Sequence, residues 1–94
     1  MDTRVRLLPP YARLAGANEV KLSLHDGATL GAALAQLVGM LGGGFEQMVF
    51  VAPGKVRPSL EVLVNGHSPF LGNGLDTRLQ HDDVISLAMV IAGG

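Results

Sequence analysis

The stretch that decides the fold is Thr29–Leu41, TLGAALAQLVGML, which has the apolar spacing of an amphipathic helix. Its large apolar residues fall at i, i+4, i+7, i+8 and i+11, on one helical stripe: Leu30, Leu34, Leu37, Val38 and Leu41. Thr29 can cap the start of this helix, although Asp26 competes for that position. Three glycines at 42–44 follow, and we expect them to end the helix. The pattern therefore predicts one helix with one face to bury.

Predicted strands lie on both sides of this helix. Before it, Thr3–Leu8 and Glu19–Leu24 alternate apolar and polar residues, as half-buried strands do, and can pair as a hairpin. After it come Leu60–Val64, which leads into an Asn-Gly turn, and Val84–Val90, which is apolar on both sides like a central strand. We therefore predict an α+β fold, a mixed sheet of four or five strands with one main helix packed on one face. The first and last strands should be central neighbours, and residues 1–94 should form one domain.

Three stretches lack a clear periodicity. Residues 11–18 are expected to form a loop, and residues 45–51 a short buried turn or strand before a Pro- and Gly-containing loop. Residues 67–83 are polar and rich in turn residues. Four apolar side chains should fasten that last region to the core: Phe70, Leu71, Leu75 and Leu79.

The composition argues against several classes of protein. With 7 basic and 8 acidic residues, the net charge of −1 lacks the positive excess that nucleic acid or an anionic membrane would attract. Residues 27–45 carry no charge, but glycines interrupt them and their apolar residues keep to one side, so no membrane span is expected. We expect a cytoplasmic protein without a nucleic-acid or membrane partner.

Catalytic and metal-binding patterns are also missing from the sequence. The chain has no cysteine, which excludes thiolate metal sites and cysteine nucleophiles. Its histidines, His25, His67 and His81, fall in predicted turns without the spacing of metal ligands. The acidic pair at 82–83 is most simply a turn before the last strand. We therefore predict no metal site, no bound cofactor and no catalytic residue.

The end of the chain is the one feature that points to chemistry. Ala92-Gly93-Gly94 follows the last predicted strand almost directly. Glycine places no side chain around the terminal carboxylate, so such an end can enter a narrow channel and present its carboxylate to another protein. We expect residues 91–94 to form a flexible diglycine tail; the alternative is a small, plain terminus without a role.

The sequence resembles the ubiquitin-like β-grasp sulfur carriers of the ThiS and MoaD type. The similar stretches are Val5–Leu8 with Tyr11–Gly16, Gly27–Leu34, Val62–Gly66, Leu79–Val84 and Ala92–Gly94. They match the family's first strand and loop, its helix opening, its middle strand and turn, its entry to the last strand and its diglycine end. The sequence differs where Met89-Val90 stand in the region in which the molybdopterin-synthase branch often has two prolines.

This resemblance implies a function that depends on partner enzymes. An E1-like enzyme would adenylate the Gly94 carboxylate with ATP and Mg²⁺, and a sulfur donor would convert it to a thiocarboxylate. An acceptor enzyme of molybdopterin, thiazole, cysteine or a similar biosynthesis, such as the large subunit of molybdopterin synthase, would then take the sulfur. Gly93 would allow passage through the partner's channel. Phe70, Met89 and Ile91 are candidate docking residues, with burial in the core as the alternative.

Two other functions stay open at this point. A ubiquitin-like modifier would use the same activated Gly94 to form an isopeptide bond with a lysine of another protein. A plain interaction module would carry the terminal glycines without using them. In each case the chain itself is expected not to be an enzyme.

Overall fold

The computed structural model describes residues 1–90 as a four-stranded sheet covered on one face by helices. The elements are β1 (Asp2–Leu7), α1 (Tyr11–Ala15), β2 (Glu19–Ser23), α2 (Leu30–Leu41), α3 (Gly43–Val49), β3 (Phe50–Ala52), β4 (Lys55–Val56), β5 (Leu60–Val64) and β6 (Val84–Met89). Two short 3₁₀ turns, Pro69–Leu71 and Gly74–Asp76, lie between β5 and β6. None of the helices in this part of the chain is long and apolar enough to cross a membrane.

The main sheet has the strand order β2-β1-β6-β5, and this confirms the predicted mixed sheet. β1 pairs antiparallel with β2 and parallel with β6, while β5 pairs antiparallel with β6. The first and last strands are thus the central neighbours, as predicted. Because β6 has a strand on each side, its polar backbone groups are satisfied in the ladder.

Helix α2 begins and packs as its sequence predicts. The Thr29 hydroxyl oxygen accepts a hydrogen bond from the Ala32 N–H at 3.2 Å, so Thr29 is the capping residue. The helix buries Leu30, Leu34 and Leu37 completely. They pack against the inner residues of the sheet, which are Val5, Leu7, Leu22, Val62, Ile85 and Leu87. This one core joins the helix to all four strands.

Two helices lie where the sequence predicts none. Residues 11–15 form α1 rather than a loop, because the fully buried Tyr11 packs edge-on against Phe45, with ring centroids 6.4 Å apart. Gly42, at φ 91°, does end α2, but α3 begins at the next residue. Burial of Phe45 and Val49 outweighs the poor helix propensity of Gly43 and Gly44. The hairpin β3–β4 then follows around residues 53–54.

The turn-rich region before β6 is fastened to the core differently from the prediction. Leu79 is buried and Leu75 packs partly against the core, as expected. The prediction is wrong for Phe70 and Leu71, which are 47% and 92% exposed. Pro69, in the same 3₁₀ turn, is the residue that turns inward.

Candidate functional site

The described part of the chain ends where the last strand leaves the sheet. Met89 lies opposite Leu60, and the N–H of Val90 donates a 2.8 Å hydrogen bond to the carbonyl oxygen of Ser59. Val90 is therefore still hydrogen-bonded to the residue that precedes β5. The predicted tail, including Ile91, Gly93 and Gly94, lies outside the described residues.

The outer face of the sheet, on the side away from α2, leads to this point. In β1 and β6 every second residue is buried against the helices, and the alternate residues are exposed or half-buried. The outward residues of the four strands are Asp2, Arg4, Arg6, Glu19, Lys21, Ser23, Glu61, Leu63, Val84, Ser86 and Ala88. Towards the end of β6 the outward residue Ala88 is apolar, and the exposed Glu61 lies opposite it on β5.

An apolar surface surrounds the place where the chain leaves this face. The N–H of Leu8 donates to the carbonyl oxygen of Leu87 at 3.0 Å, which continues the pairing of β1 with β6 and brings Leu8 level with Ala88. Leu8 and Val90 are 44% and 43% exposed, and they extend the outward pattern of their strands. We call Leu8, Leu63, Ala88 and Val90 the apolar exit surface. Exposed apolar residues grouped in this way are typical of a surface that contacts another protein.

The predicted docking residues within the described part of the chain both lie at the surface. Met89 is 42% exposed and lies beside Leu60 at the end of β6, so it is not part of the core. Phe70 is also exposed, and its ring lies close to Gly74. Their docking role stays a prediction. The sequence analysis did not identify Leu8 and Val90 as docking candidates, although Leu8 has the same parity along β1 as the outward residues Arg4 and Arg6.

The polar part of the outer face has several charged side chains. Register places Arg4 opposite Lys21 and Arg6 opposite Glu19. The Arg4 guanidinium lies 3.8 Å from the Glu19 carboxylate, and both side chains are about half exposed. A shallow depression of about 550 Å³ is lined by Arg4, Arg6 and Glu19 together with Leu63, Val84 and Ser86. This depression adjoins the apolar exit surface.

The histidines and acidic residues of residues 1–90 do not form a metal-binding cluster of three or more ligands. His81 instead has a place in the fold, because its Nδ1 accepts a 3.1 Å hydrogen bond from the Asp2 N–H. Burial raises the pKa of the Tyr11 hydroxyl, and the charge of Arg57 opposes that shift. Tyr11 belongs to the core below α3, so this shifted pKa does not mark the candidate site.

A second concavity lies between α2 and the β3–β4 hairpin. It has a volume of about 570 Å³ and is mostly apolar, with Gly31, Ala35 and Val38 on the helix side and Phe50 and Val51 on the hairpin side. Val51 is 52% exposed. This groove is on the helical side of the molecule, away from the outer face of the sheet.

The mixed sheet, the helix packed on one face and the last strand delivering the chain end define a ubiquitin-like β-grasp protein. The chain belongs to the ThiS family, whose model matches residues 5–94. It is 27% identical to small archaeal modifier protein 3 of Haloferax volcanii over 94 residues, all of both chains. The crystal structure of SAMP1 from Haloferax volcanii superposes with a TM-score of 0.86 at 28% identity, covering all of both chains.

The same fold occurs in a more distant relative. The crystal structure of Mycobacterium tuberculosis CysO has a TM-score of 0.80 at 23% identity and covers 95% of this chain and 99% of its own. These similarities confirm the predicted fold and family. They include both proteins named as modifiers and a family named for its sulfur carrier, so the choice between the two roles depends on chemistry at the chain end.

Proposed function

We propose that this protein is a sulfur carrier whose Gly94 carboxylate is activated by an E1-like enzyme and converted to a thiocarboxylate. The observation that carries the proposal is the family match, which runs through Gly93 and Gly94. The apolar exit surface supports it, because a carrier needs a docking surface next to the end that it presents. Partner enzymes supply the catalysis in this account.

The carboxylate of Gly94 is a poor electrophile, so it must be activated before sulfur can be added to it. In the activating enzyme, a Gly94 carboxylate oxygen attacks the α-phosphorus of ATP, pyrophosphate leaves, and an acyl-adenylate forms. Mg²⁺ held with the nucleotide neutralises phosphate charge. The sulfur of a hydrosulfide or a donor persulfide then attacks the acyl carbon, and AMP leaves. Hydrosulfide gives the thiocarboxylate directly, whereas a persulfide gives an acyl disulfide that a thiol must reduce.

The carrier contributes its terminus and its surface to this sequence. Glycine at 93 and 94 leaves room for a close approach of the partner's groups to the reacting carbon. The absence of cysteine from the chain suits this scheme, since the transferred sulfur comes from the donor. An acceptor enzyme in the biosynthesis of a sulfur-containing product would take the sulfur from Gly94.

A second candidate function is a protein modifier. It is favoured by the 27% identity to a protein named as a small archaeal modifier. Here a lysine amine attacks the same acyl-adenylate, AMP leaves, the amine loses a proton and an isopeptide bond forms. Both functions need Gly94 and the activating enzyme, and they differ only in the nucleophile.

The two functions are separated by recovering the protein from its own cells. We expect most of the chain to be recovered free, and its end to react with a thiol-directed alkylating reagent although the sequence has no cysteine. A ladder of high-mass conjugates, with Gly94 linked to lysine in digested peptides, would instead establish the modifier. The matched control is the chain without Gly93 and Gly94, which should give neither product.

A further inference from the structure

The main sheet has two edge strands, β2 and β5, and β2 is the more open of them. Along β5, the backbone of Val64 exchanges hydrogen bonds with His67, and the N–H of Leu60 donates to the carbonyl oxygen of Arg57. A strand edge without such partners can pair with a strand of another chain. The edge of β2 is therefore a candidate binding surface that is separate from the chain end.

The backbone groups of β2 alternate between bonded and free. The N–H of Leu7 donates a 2.8 Å hydrogen bond to the carbonyl oxygen of Asn18, so the even-numbered residues of β2 face β1 in the antiparallel ladder. The odd-numbered residues Glu19, Lys21 and Ser23 therefore point their N–H and C=O groups away from the sheet.

Part of this edge is already closed by α2. The side-chain amide of Gln36 donates to the carbonyl oxygen of Ser23 at 3.3 Å. The free stretch is thus short: Glu19 and Lys21 are both exposed, and their outward backbone groups have no hydrogen-bond partner among residues 1–90. Between them, Val20 is half-buried and packs against the core on the other face of the sheet. A strand that completes this edge has to match only these three residues.

We propose that the edge of β2 pairs with the edge of β2 in a second copy of this chain, antiparallel and about a two-fold axis at Val20. In this register, Glu19 of each copy lies opposite Lys21 of the other copy, and the two residues exchange both backbone hydrogen bonds. Every free backbone group of the short stretch is then satisfied. A two-fold axis allows this because each copy contributes the same surface.

The charges of β2 favour a second copy in this register. Lys21 lies opposite Arg4 within its own sheet, and among residues 1–90 no carboxylate lies within ion-pair distance of its amine. The pairing places Glu19 of the second copy opposite it, and opposite charges in that position stabilise a sheet. The adjacent register would place Lys21 opposite Lys21 and would need the Ser23 carbonyl that Gln36 already binds. Charge and the length of the free edge therefore select the same register.

This pairing leaves the chain ends accessible. β1 lies between β2 and β6, so the second copy does not cover the apolar exit surface. Because the paired strands run antiparallel, the two chain ends leave at opposite ends of the joined sheet. The matched stretch is short, so we expect a reversible dimer with a Kd of about 0.1–1 mM, as for a small transient interface. The inference does not depend on the chemistry at Gly94.

The first test is sedimentation equilibrium of the full chain over a concentration series. Lys21→Glu places carboxylates opposite each other in both pairs, so we expect its Kd to be higher by about tenfold or more. The matched control is Lys55→Glu, which changes the net charge equally but lies in the β3–β4 hairpin. Lys55→Glu should keep the wild-type Kd. High salt should reduce the difference between the two variants, because it screens exposed charges.

Mixing two variants separates edge pairing from damage to the fold. Glu19→Lys alone should also prevent the dimer, because it places lysines opposite each other. An equimolar mixture of Glu19→Lys and Lys21→Glu should pair with about the wild-type Kd, since every lysine of one edge then lies opposite a glutamate of the other. Both variants should unfold cooperatively on heating, which shows that each one is folded.

Amide hydrogen exchange of the wild-type chain tests the register without any substitution. The N–H groups of Glu19 and Lys21 should become protected as the concentration rises, whereas that of Val20, which already faces β1, should change little. The inference is overturned if the chain stays monomeric up to about 1 mM, an outcome that would leave the edge to an extended segment of another protein. It is also overturned if the folded variants do not pair when mixed, if Lys55→Glu weakens the dimer as much as Lys21→Glu, or if the protected amides lie elsewhere.

Discussion

The N–H of Val90 donates a 2.8 Å hydrogen bond to the carbonyl oxygen of Ser59, one residue beyond the last residue of β6. This bond sets the point from which the end of the chain must reach its partner. The four residues from 91 to 94 can extend at most about 14 Å beyond it, given the length of a fully extended chain. A partner that holds the outer face of the sheet must place its reacting centre within that distance.

Two glycines inserted between Val90 and Ile91 should therefore slow activation. They lengthen the tail by about 7 Å without changing the docking surface, so the Gly94 carboxylate is no longer held at the reacting centre of the enzyme. We expect kcat/KM for pyrophosphate release to fall by about tenfold or more. Thermal unfolding should be unchanged, because the described elements end at Met89. Activation at the wild-type rate would show that the tail length is not matched to the partner.

The apolar exit surface should be required for docking. Leu8→Asp places a charge on a half-exposed apolar residue beside the end of β6, and we expect KM for the activating enzyme to rise about tenfold or more with the fold intact. The control is Met40→Asp, since Met40 is 55% exposed on α2 and lies away from the sheet. Equal effects of the two substitutions on KM would assign the docking to something other than this surface.

The packing of α2 accounts for much of the stability. Leu34 is 1% exposed, so Leu34→Ala should lower the free energy of unfolding by about 2–5 kcal/mol through lost burial and the cavity left behind. Leu14→Ala is the matched control, because Leu14 is 47% exposed on α1 and should cost less than about 1 kcal/mol. Urea denaturation measures both values. Similar losses for the two leucines would mean that α2 is not packed as described.

Asn65 joins the end of β5 to the start of β6. Its side-chain amide donates to an Asp83 carboxylate oxygen at 2.8 Å, and its oxygen accepts from the Val84 N–H at 2.9 Å. Its φ of 52° is unusual for a residue with a side chain. Asn65→Ala should therefore lower the free energy of unfolding by about 1–3 kcal/mol, because it removes the side-chain hydrogen bonds and places alanine at a positive φ.

Glycine at this position separates the two effects. Asn65→Gly loses the side-chain hydrogen bonds but tolerates the positive φ, so its loss of stability should be the smaller of the two. Thermal unfolding monitored by circular dichroism checks the order. If alanine proves no worse than glycine, the left-handed backbone conformation contributes nothing to the effect.

The sheet and α2 could be predicted from the sequence because their signals are local. The capping Thr29 and the stripe of leucines lie within one short segment, and the alternation in β1 and β5 needs only neighbouring residues. α1 and α3 could not be predicted in this way. The mutual burial of Tyr11 and Phe45 joins residues far apart in sequence, and this packing stabilises helices of five and seven residues.

The candidate site could likewise be predicted from the sequence only in part. The sequence alone marks Gly93 and Gly94 as the reacting end, because their role comes from their place in the chain. The docking surface depends on register between strands that are distant in sequence. Only the pairing of β1 with β6 brings Leu8 level with Ala88 and places Arg6 next to them.

The central claim is tested most directly by the intact mass of the protein after incubation with the E1-like enzyme, ATP, Mg²⁺ and sulfide. We expect a gain of about 16 Da, sulfur in place of oxygen, located at Gly94 and dependent on ATP. Gly94→Ala should unfold at the wild-type temperature and show little or no gain. An unchanged mass for wild-type protein under conditions in which the enzyme is active would contradict the account.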